Sequence, residues 1–218
     1  PAPWAATVTH ALTTAEDEGA TPLFLVDLES GVEHAVGPRE GAWDFVARVP
    51  GRDQVVGVRS GLLDPPEPYL LDLATGVLRP LARLSGFVPP SHPPTVDELR
   101  IEVAPDGARA RTMHAFVIEP ARPNGRTLVW IHGGPVAAWG DHWHWRWSAL
   151  AMAEAGYRVI QPNPSGSTGY GMDWVNDIWG NSWGGRCYDD LMQLVARLEA
   201  DGARAHDMVM MGGSFGGD

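Results

Sequence analysis

The stretch Val209 to Asp218, VMMGGSFGGD, decides how the C-terminal half of the chain is read. Within it, Gly212-Gly213-Ser214-Phe215-Gly216 fits G-x-S-x-G, the turn that lifts a serine off the end of a strand and onto the start of a helix. Met208 to Met211 supplies the apolar strand, and Ser214 is the candidate nucleophile. A serine hydroxyl is weakly nucleophilic near neutral pH. It needs a positioned base, usually histidine, which is itself oriented by a carboxylate.

Working outward, Thr127 to Ile131 (TLVWI) is a continuous apolar run of the kind expected for a strand buried on both faces. YRVIQ from Tyr157 reads as the next strand. Leu191, Leu194, Val195 and Leu198 define an amphipathic helix that Gly202 ends. Trp143, Trp147, Leu150 and Ala151 fall on one helical face, with Asp141 as the expected cap and Gly156 as the stop. Upstream, Leu99 to Val103 and Thr112 to Ile118 are expected to pair as a hairpin turning at Pro105-Asp106-Gly107. The alternation predicts an α/β domain with a mainly parallel sheet over residues 97–218.

In such a sheet, function collects at the carboxyl ends of the strands. Ile131 runs into His132-Gly133-Gly134-Pro135, the strand from Tyr157 runs into Asn163 to Gly171 (NPSGSTGYG), and Met211 runs into the serine turn. In acyl transfer the attacked carbonyl becomes an oxyanion that backbone N–H groups stabilise. One expected donor is the amide of Phe215. The other comes from the glycines after His132, where the missing side chains let the backbone approach.

The first part of the chain is organised differently. LVDLESGV at Leu25 to Val32 and LLDLATGV at Leu70 to Val77 align residue for residue at a spacing of 45. Repeats of about 40 to 50 residues built of short strands are the signature of propeller blades. FVARVP and QVVGVRS supply two further strands around the turn Gly51-Arg52-Asp53. Residues 1–84 are therefore expected to be the last two blades of a β-propeller. Ser85 to Val96 (SGFVPPSHPPTV) is Pro-rich and reads as a linker. Two unrelated hairpins with shared turn chemistry are the alternative.

HGGP, GYRVIQPNPSGSTGYG, WGGRCYDDL and GGSFGG, with blade-like repeats upstream, resemble the prolyl oligopeptidase family of serine peptidases, most closely its acylaminoacyl-peptidase branch. Those enzymes place a propeller over an α/β-hydrolase domain, so that short peptides reach the serine and folded proteins do not. The resemblance implies Ser214 as nucleophile, the Phe215 amide with the backbone of Gly133 and Gly134 as oxyanion hole, and His132, Ser165 and Tyr170 beside the substrate cleft. Where the family often reads Asn-x-Arg-Gly-Ser, this chain has Ser165, which removes the ionic role of that arginine.

The family order is serine, aspartate, histidine, whereas all eight histidines here precede Ser214. Asp218 falls where the helix after the serine turn starts, too early for the triad acid. His206 precedes the strand at the wrong end of the sheet. His10, His34, His92 and His114 are expected in surface or packing roles. His132 belongs to the glycine turn. Asp141, His142 and His144 raise a metal site, but residues two apart on a helix point apart, so no metal is assigned. Asp189 and Asp190, near a helix start, are read as structural groups that favour the helix dipole. The expectation is a fragment of a serine peptidase acting on short peptides and lacking its downstream Asp and His. A carboxylesterase with the same machinery and a non-catalytic binding module are the alternatives.

Sixteen basic against 27 acidic residues give a net charge of −11, which offers no broad basic surface for nucleic acid. No run of about 18 apolar residues predicts a membrane span. A single cysteine, Cys187, fits a reducing, cytoplasmic setting. The triad mechanism needs no cofactor, and the oligomeric state is not encoded in any pattern read here.

Overall fold

The computed structural model describes residues 5–7, 9–104, 110–180 and 183–217. The expected turn at Pro105-Asp106-Gly107, and Asp218, lie outside the described residues. The chain divides into two units, residues 1–89 with 140–147 and residues 90–139 with 148–218.

The first unit holds two four-stranded antiparallel sheets. One contains β1 (Ala5–Ala6), β2 (His10–Thr14), β3 (Leu23–Asp27) and β4 (Glu33–Val36) in chain order. The other contains β5 (Ala42–Arg48), β6 (Gln54–Ser60), β7 (Glu67–Asp72) and β8 (Leu78–Pro80), also in chain order. Leu12, Leu23, Val36, Trp43, Val46, Val55 and Leu71 form their core. The sequence repeat corresponds to one turn built twice. Gly31 N donates to Asp27 O at 2.9 Å and Gly76 N to Asp72 O at 2.8 Å. Ser30 Oγ and Thr75 Oγ1 each donate to the aspartate Oδ1 at 2.8 Å. Both glycines are left-handed, φ 72° and 70°, which is why each turn needs glycine. Asp27 is held below the usual carboxylate range by the Ser30 amide and then its hydroxyl, and Asp72 by the Thr75 hydroxyl and then its amide.

Asp141 does not cap a helix. Its own N–H donates to Gly19 O at 2.6 Å, while its carboxylate accepts from Gly41 N at 2.7 Å and Leu62 N at 2.9 Å. Two loop amides thereby gain an acceptor that a helix cap would have withheld from them, and Trp143 and Trp147 stay outside any helix. The helix α1 begins only at Ala149 and runs to Glu154, capped by Ser148, whose Oγ accepts from Ala151 N at 3.3 Å.

The second unit is a five-stranded sheet in the order β13-β11-β12-β10-β9, formed by β9 (Thr95–Val103), β10 (Arg111–Glu119), β11 (Thr127–Ile131), β12 (Arg158–Asn163) and β13 (Met208–Gly212). It is mixed rather than mainly parallel. β11 pairs parallel with β12 and β13, but β10 pairs antiparallel with both β12 and β9. The hairpin joined the same sheet because β10 is buried from Met113 to Ile118 and needs partners on both edges. Ile101, Val103, Met113, Val117, Val129, Ile160, Leu194 and Leu198 pack as the core, with Trp174 from the short helix α2 (Met172–Asn176). The helix α3 (Gly185–Ala200) buries Cys187, Asp190, Leu191, Leu194 and Leu198, spaced by three and four residues on one face. Left-handed Gly202, φ 100°, follows its end.

Replacing Asp141 with Ala strips two partly buried amides of their acceptor, each worth about 1–3 kcal/mol when left unsatisfied. The expected outcome is a lower midpoint in thermal denaturation, and an unchanged midpoint would show that water takes over both amides.

Candidate active site

Parallel pairing puts the ends of β11 and β13 side by side, with Ile131 opposite Gly212. The chain leaves β11 as His132-Gly133-Gly134-Pro135 and leaves β13 as Gly213-Ser214, so the two turns meet. Ser214 is exposed and has φ 57°, a left-handed conformation rare for a residue with a side chain. A conformation of this kind costs about 1–3 kcal/mol and persists where the surroundings impose it. Gly216 N donates to Gly213 O at 3.2 Å and closes the turn.

The glycines are there because there is no room for anything else. A Cβ on Gly133 would lie 2.8 Å from Gly213 O and 3.4 Å from Ser214 Cβ. On Gly216 it would lie 2.5 Å from Ile131 O and 2.6 Å from His132 O, and on Gly212 it would run into the carbonyl of Gly216. These neighbours are backbone and cannot swing away. Gly134 has φ 132°, and its Cβ would lie 2.8 Å from Val136 N.

His132 is buried, and both ring nitrogens are engaged. Nδ1 lies 2.7 Å from Gly133 O and Nε2 lies 2.9 Å from Ser167 Oγ. Burial pushes its pKa below the usual histidine value, opposed by the hydrogen bond to Gly133. The Gly133 carbonyl can only accept, so the neutral ring carries its proton on Nδ1, and the unprotonated Nε2 shares the single Ser167 hydroxyl hydrogen with Pro164 O. Pro164 O, 2.6 Å from the same hydroxyl, also accepts from Trp174 Nε1 at 2.9 Å. This occupancy leaves His132 no free nitrogen for Ser214.

The loop after β12 is bound from below by α3. Ser165 N donates to Asp190 Oδ2 at 2.8 Å, and Cys187 Sγ donates to Ser165 O at 2.9 Å. Asp190 is fully buried, and its Oδ1 has no partner. Its role is structural, as expected, but it anchors the loop rather than serving the helix dipole, while Asp189 is exposed. Burial raises the Asp190 pKa, offset by the Ser165 hydrogen bonds and by Arg186. Arg186 is itself bound to Asp177 at 3.2 Å, which also holds Arg111 at 2.7 Å. Cys187 is pushed up to about 11 by burial and then by Asp190.

Of the expected cleft residues, His132 and Ser165 line an apolar cavity of about 780 Å³ together with Ile131, Cys187, Met211 and Phe215. Tyr170 does not line it and instead hydrogen-bonds His114 and Asn163. Sequence reasoning gave Asn163 no role of its own and read Asp190 as structural without its partner in the loop. Its place at the end of a strand that runs into a glycine-rich loop was the available signal for Asn163. His142 and His144 lie in the first unit with ring centroids 6.0 Å apart, and both Asp141 oxygens are taken by amides. Among the described residues no group of three metal-ligating side chains converges.

Residues 143–218 match the prolyl oligopeptidase family. Over 119 residues, 51% of this chain, the sequence is 39% identical to the dipeptidyl-peptidase 5 of Arthroderma otae, covering 16% of that protein. It is 34% identical over 123 residues to the dipeptidyl-peptidase 5 of Trichophyton equinum, again 16% of its length. The chain thus spans about a sixth of these curated relatives. Among solved structures, Pyrococcus horikoshii acylaminoacyl peptidase superposes with a TM-score of 0.76 at 20% identity, over 97% of this chain and 32% of that one. A puromycin-hydrolyzing peptidase of Mycobacterium tuberculosis gives 0.73 at 24% identity, over 95% of this chain and 31% of that one. These likenesses establish a shared fold, and the family match falls on the segment that carries Ser214. No helix among the described residues is long and apolar enough to cross a membrane.

Two outcomes follow from the buried acid and thiol. The raised folded-state pKa means that Asp190 contributes fully below its unfolded value of 3.8 and that this contribution is lost as pH rises through the folded value. Asp190→Asn is therefore expected to melt at or above the wild-type temperature at pH 7, with the difference shrinking towards pH 4, as thermal denaturation across pH will show. Cys187 in the folded chain is expected to resist iodoacetamide at pH 7.5, and prompt alkylation would contradict its burial.

Proposed function

We propose that this chain carries the nucleophile and oxyanion hole of a serine peptidase of the prolyl oligopeptidase family. The carrying observation is exposed, left-handed Ser214 at a strand end with the Gly133 backbone packed against Gly213 and Ser214. Ser214 Oγ attacks the scissile carbonyl carbon and gives its proton to a histidine. The oxyanion is held by the Phe215 amide and by the Gly133 and Gly134 backbone. The C–N bond then breaks as the amine takes the proton, and water releases the acyl group from Ser214.

All eight histidines precede Ser214, and His132 is fully engaged. In this reading none of the eight histidines of these 218 residues serves as the base for Ser214, and the chain spans about a sixth of its curated relatives. The sheet around Ser214 is read as the first part of an α/β-hydrolase domain acting on short peptides, and the two antiparallel sheets as propeller blades. The names of the relatives favour acylaminoacyl or dipeptidyl release over protein cleavage. The single buried thiol supports a cytoplasmic setting, which fractionation of cells expressing the full-length protein tests.

The deciding experiment compares, in the full-length protein, a peptide amide with an ester of the same acyl group. The peptidase reading expects turnover of both and a loss on the order of 10⁴-fold or more in kcat with Ser214→Ala. Ester-only turnover selects the carboxylesterase. Turnover of neither, in a folded protein, selects the non-catalytic binding module.

A further inference from the structure

The turn from His132 to Trp139 is held at its far end by a buried polar chain that no catalytic role accounts for. Asn163, at the end of β12 and fully buried, grips the Trp139 backbone twice: its Oδ1 accepts from Trp139 N at 2.7 Å, and its Nδ2 donates to Trp139 O at 3.0 Å. The second Nδ2 hydrogen goes to Tyr170 Oη at 2.9 Å. Tyr170 Oη lies 2.6 Å from His114 Nδ1 and, having accepted from Asn163, donates its own hydrogen there. His114 is on β10, directly opposite Asn163 in the sheet, and its Nε2 lies 3.5 Å from Glu98 Oε2 on β9. Trp139 adds an indole bond to Trp130 O on β11 at 2.6 Å.

The consequence is geometric. The near end of the turn is fixed by β11 pairing with β13, and the far end is fixed by Asn163, so the seven-residue excursion between them closes on neighbouring strands. Only one orientation of the Asn163 amide satisfies this arrangement. A flip would put its oxygen against Trp139 O and its NH₂ against Trp139 N–H, so the Trp139 backbone, whose N–H only donates and whose carbonyl only accepts, marks which end is NH₂. Thr168 N, two residues before Tyr170, also donates to Ala137 O at 3.1 Å. The turn is thus tied at Trp139 by the last residue of β12 and at Ala137 by the segment that follows β12.

We propose that Asn163 and Tyr170 are positioning residues for acyl transfer. The Asn163–Tyr170–His114 chain sets the backbone of residues 133–139, and through it the direction of the Gly133 and Gly134 amides at Ser214. This rests on the peptidase reading for its catalytic consequence, but not for the claim that these side chains hold the turn. Tyr170→Phe removes one hydroxyl from a side chain that keeps its ring. Asn163→Asp keeps shape but sets a carboxylate oxygen against Trp139 O.

The test uses the full-length protein with two readouts. Amide hydrogen exchange across residues 133–139 is expected to accelerate about tenfold or more in Tyr170→Phe, and further in Asn163→Asp, while amides of β9 and β10 keep wild-type protection. On a peptide amide, kcat is expected to fall roughly tenfold in Tyr170→Phe and on the order of a hundredfold in Asn163→Asp, with KM within about twofold of wild type. Unchanged exchange in residues 133–139 overturns the proposal, as does acceleration spread evenly over the sheet, which marks a merely structural loss. Exchange confined to the turn with unaltered kcat also overturns it, because the turn then moves without affecting catalysis. If the wild-type protein cleaves no peptide, the peptidase reading fails on its own, and the exchange measurement still decides whether these residues hold the turn.

Discussion

Backbone lies on backbone where the two turns meet, and the site depends on that contact. Gly133 sits against the Gly213 carbonyl and the Ser214 Cβ, and Gly216 against the carbonyls of Ile131 and His132. The approach is possible only because β11 and β13 run parallel with Ile131 opposite Gly212, which delivers both turns at one level of the sheet. It also explains the composition of both motifs. Gly133, Gly134, Gly212 and Gly216 each stand where a methyl group would strike main-chain atoms, and main chain cannot move aside as a side chain can. The left-handed Ser214 is the geometric price of turning the hydroxyl outward within that packing.

Around this contact, buried polar groups do what apolar packing cannot, which is to choose one loop conformation over others of similar area. Asp190 takes the Ser165 amide, Ser167 faces His132, and Asn163 grips Trp139. A buried donor without an acceptor costs about 1–3 kcal/mol, so loops that lose these partners are penalised far more than they are rewarded for forming them. Asp190 is the exception within the set. One of its oxygens has no partner, and Ser165 offers an amide rather than a positive charge. The raised pKa follows from that environment, because burial disfavours the ionised carboxyl more than the Ser165 hydrogen bonds and Arg186 stabilise it.

Local chemistry was legible in the sequence, and contacts between distant residues were not. Strands β11, β12 and β13 and helix α3 were readable because apolar runs and three-four spacing are local signals. The repeated Asp-Leu-x-x-Gly turn was readable for the same reason, since its hydrogen bonds span only a few residues. Asp141 misled because a capping residue and a long-range acceptor look alike in sequence. Its partners Gly41 and Leu62 lie 100 and 79 positions away. The mixed sheet was missed because periodicity identifies a hairpin but not the edge it joins. The meeting of the two glycine turns was legible from motif order along the chain. The supporting roles of Asn163 and Asp190 were not, because a side chain's grip on another segment leaves no periodic trace.

The central claim is that Ser214 forms the acyl bond, and trapping that bond tests it most directly. The full-length protein would be mixed with a slowly deacylated ester, quenched in acid during the first turnovers, digested, and its peptides weighed. The account predicts a single acyl adduct on the peptide containing Ser214, absent in Ser214→Ala. Hydrolysis that proceeds with no adduct on that peptide, or with the acyl group on another residue, would contradict it.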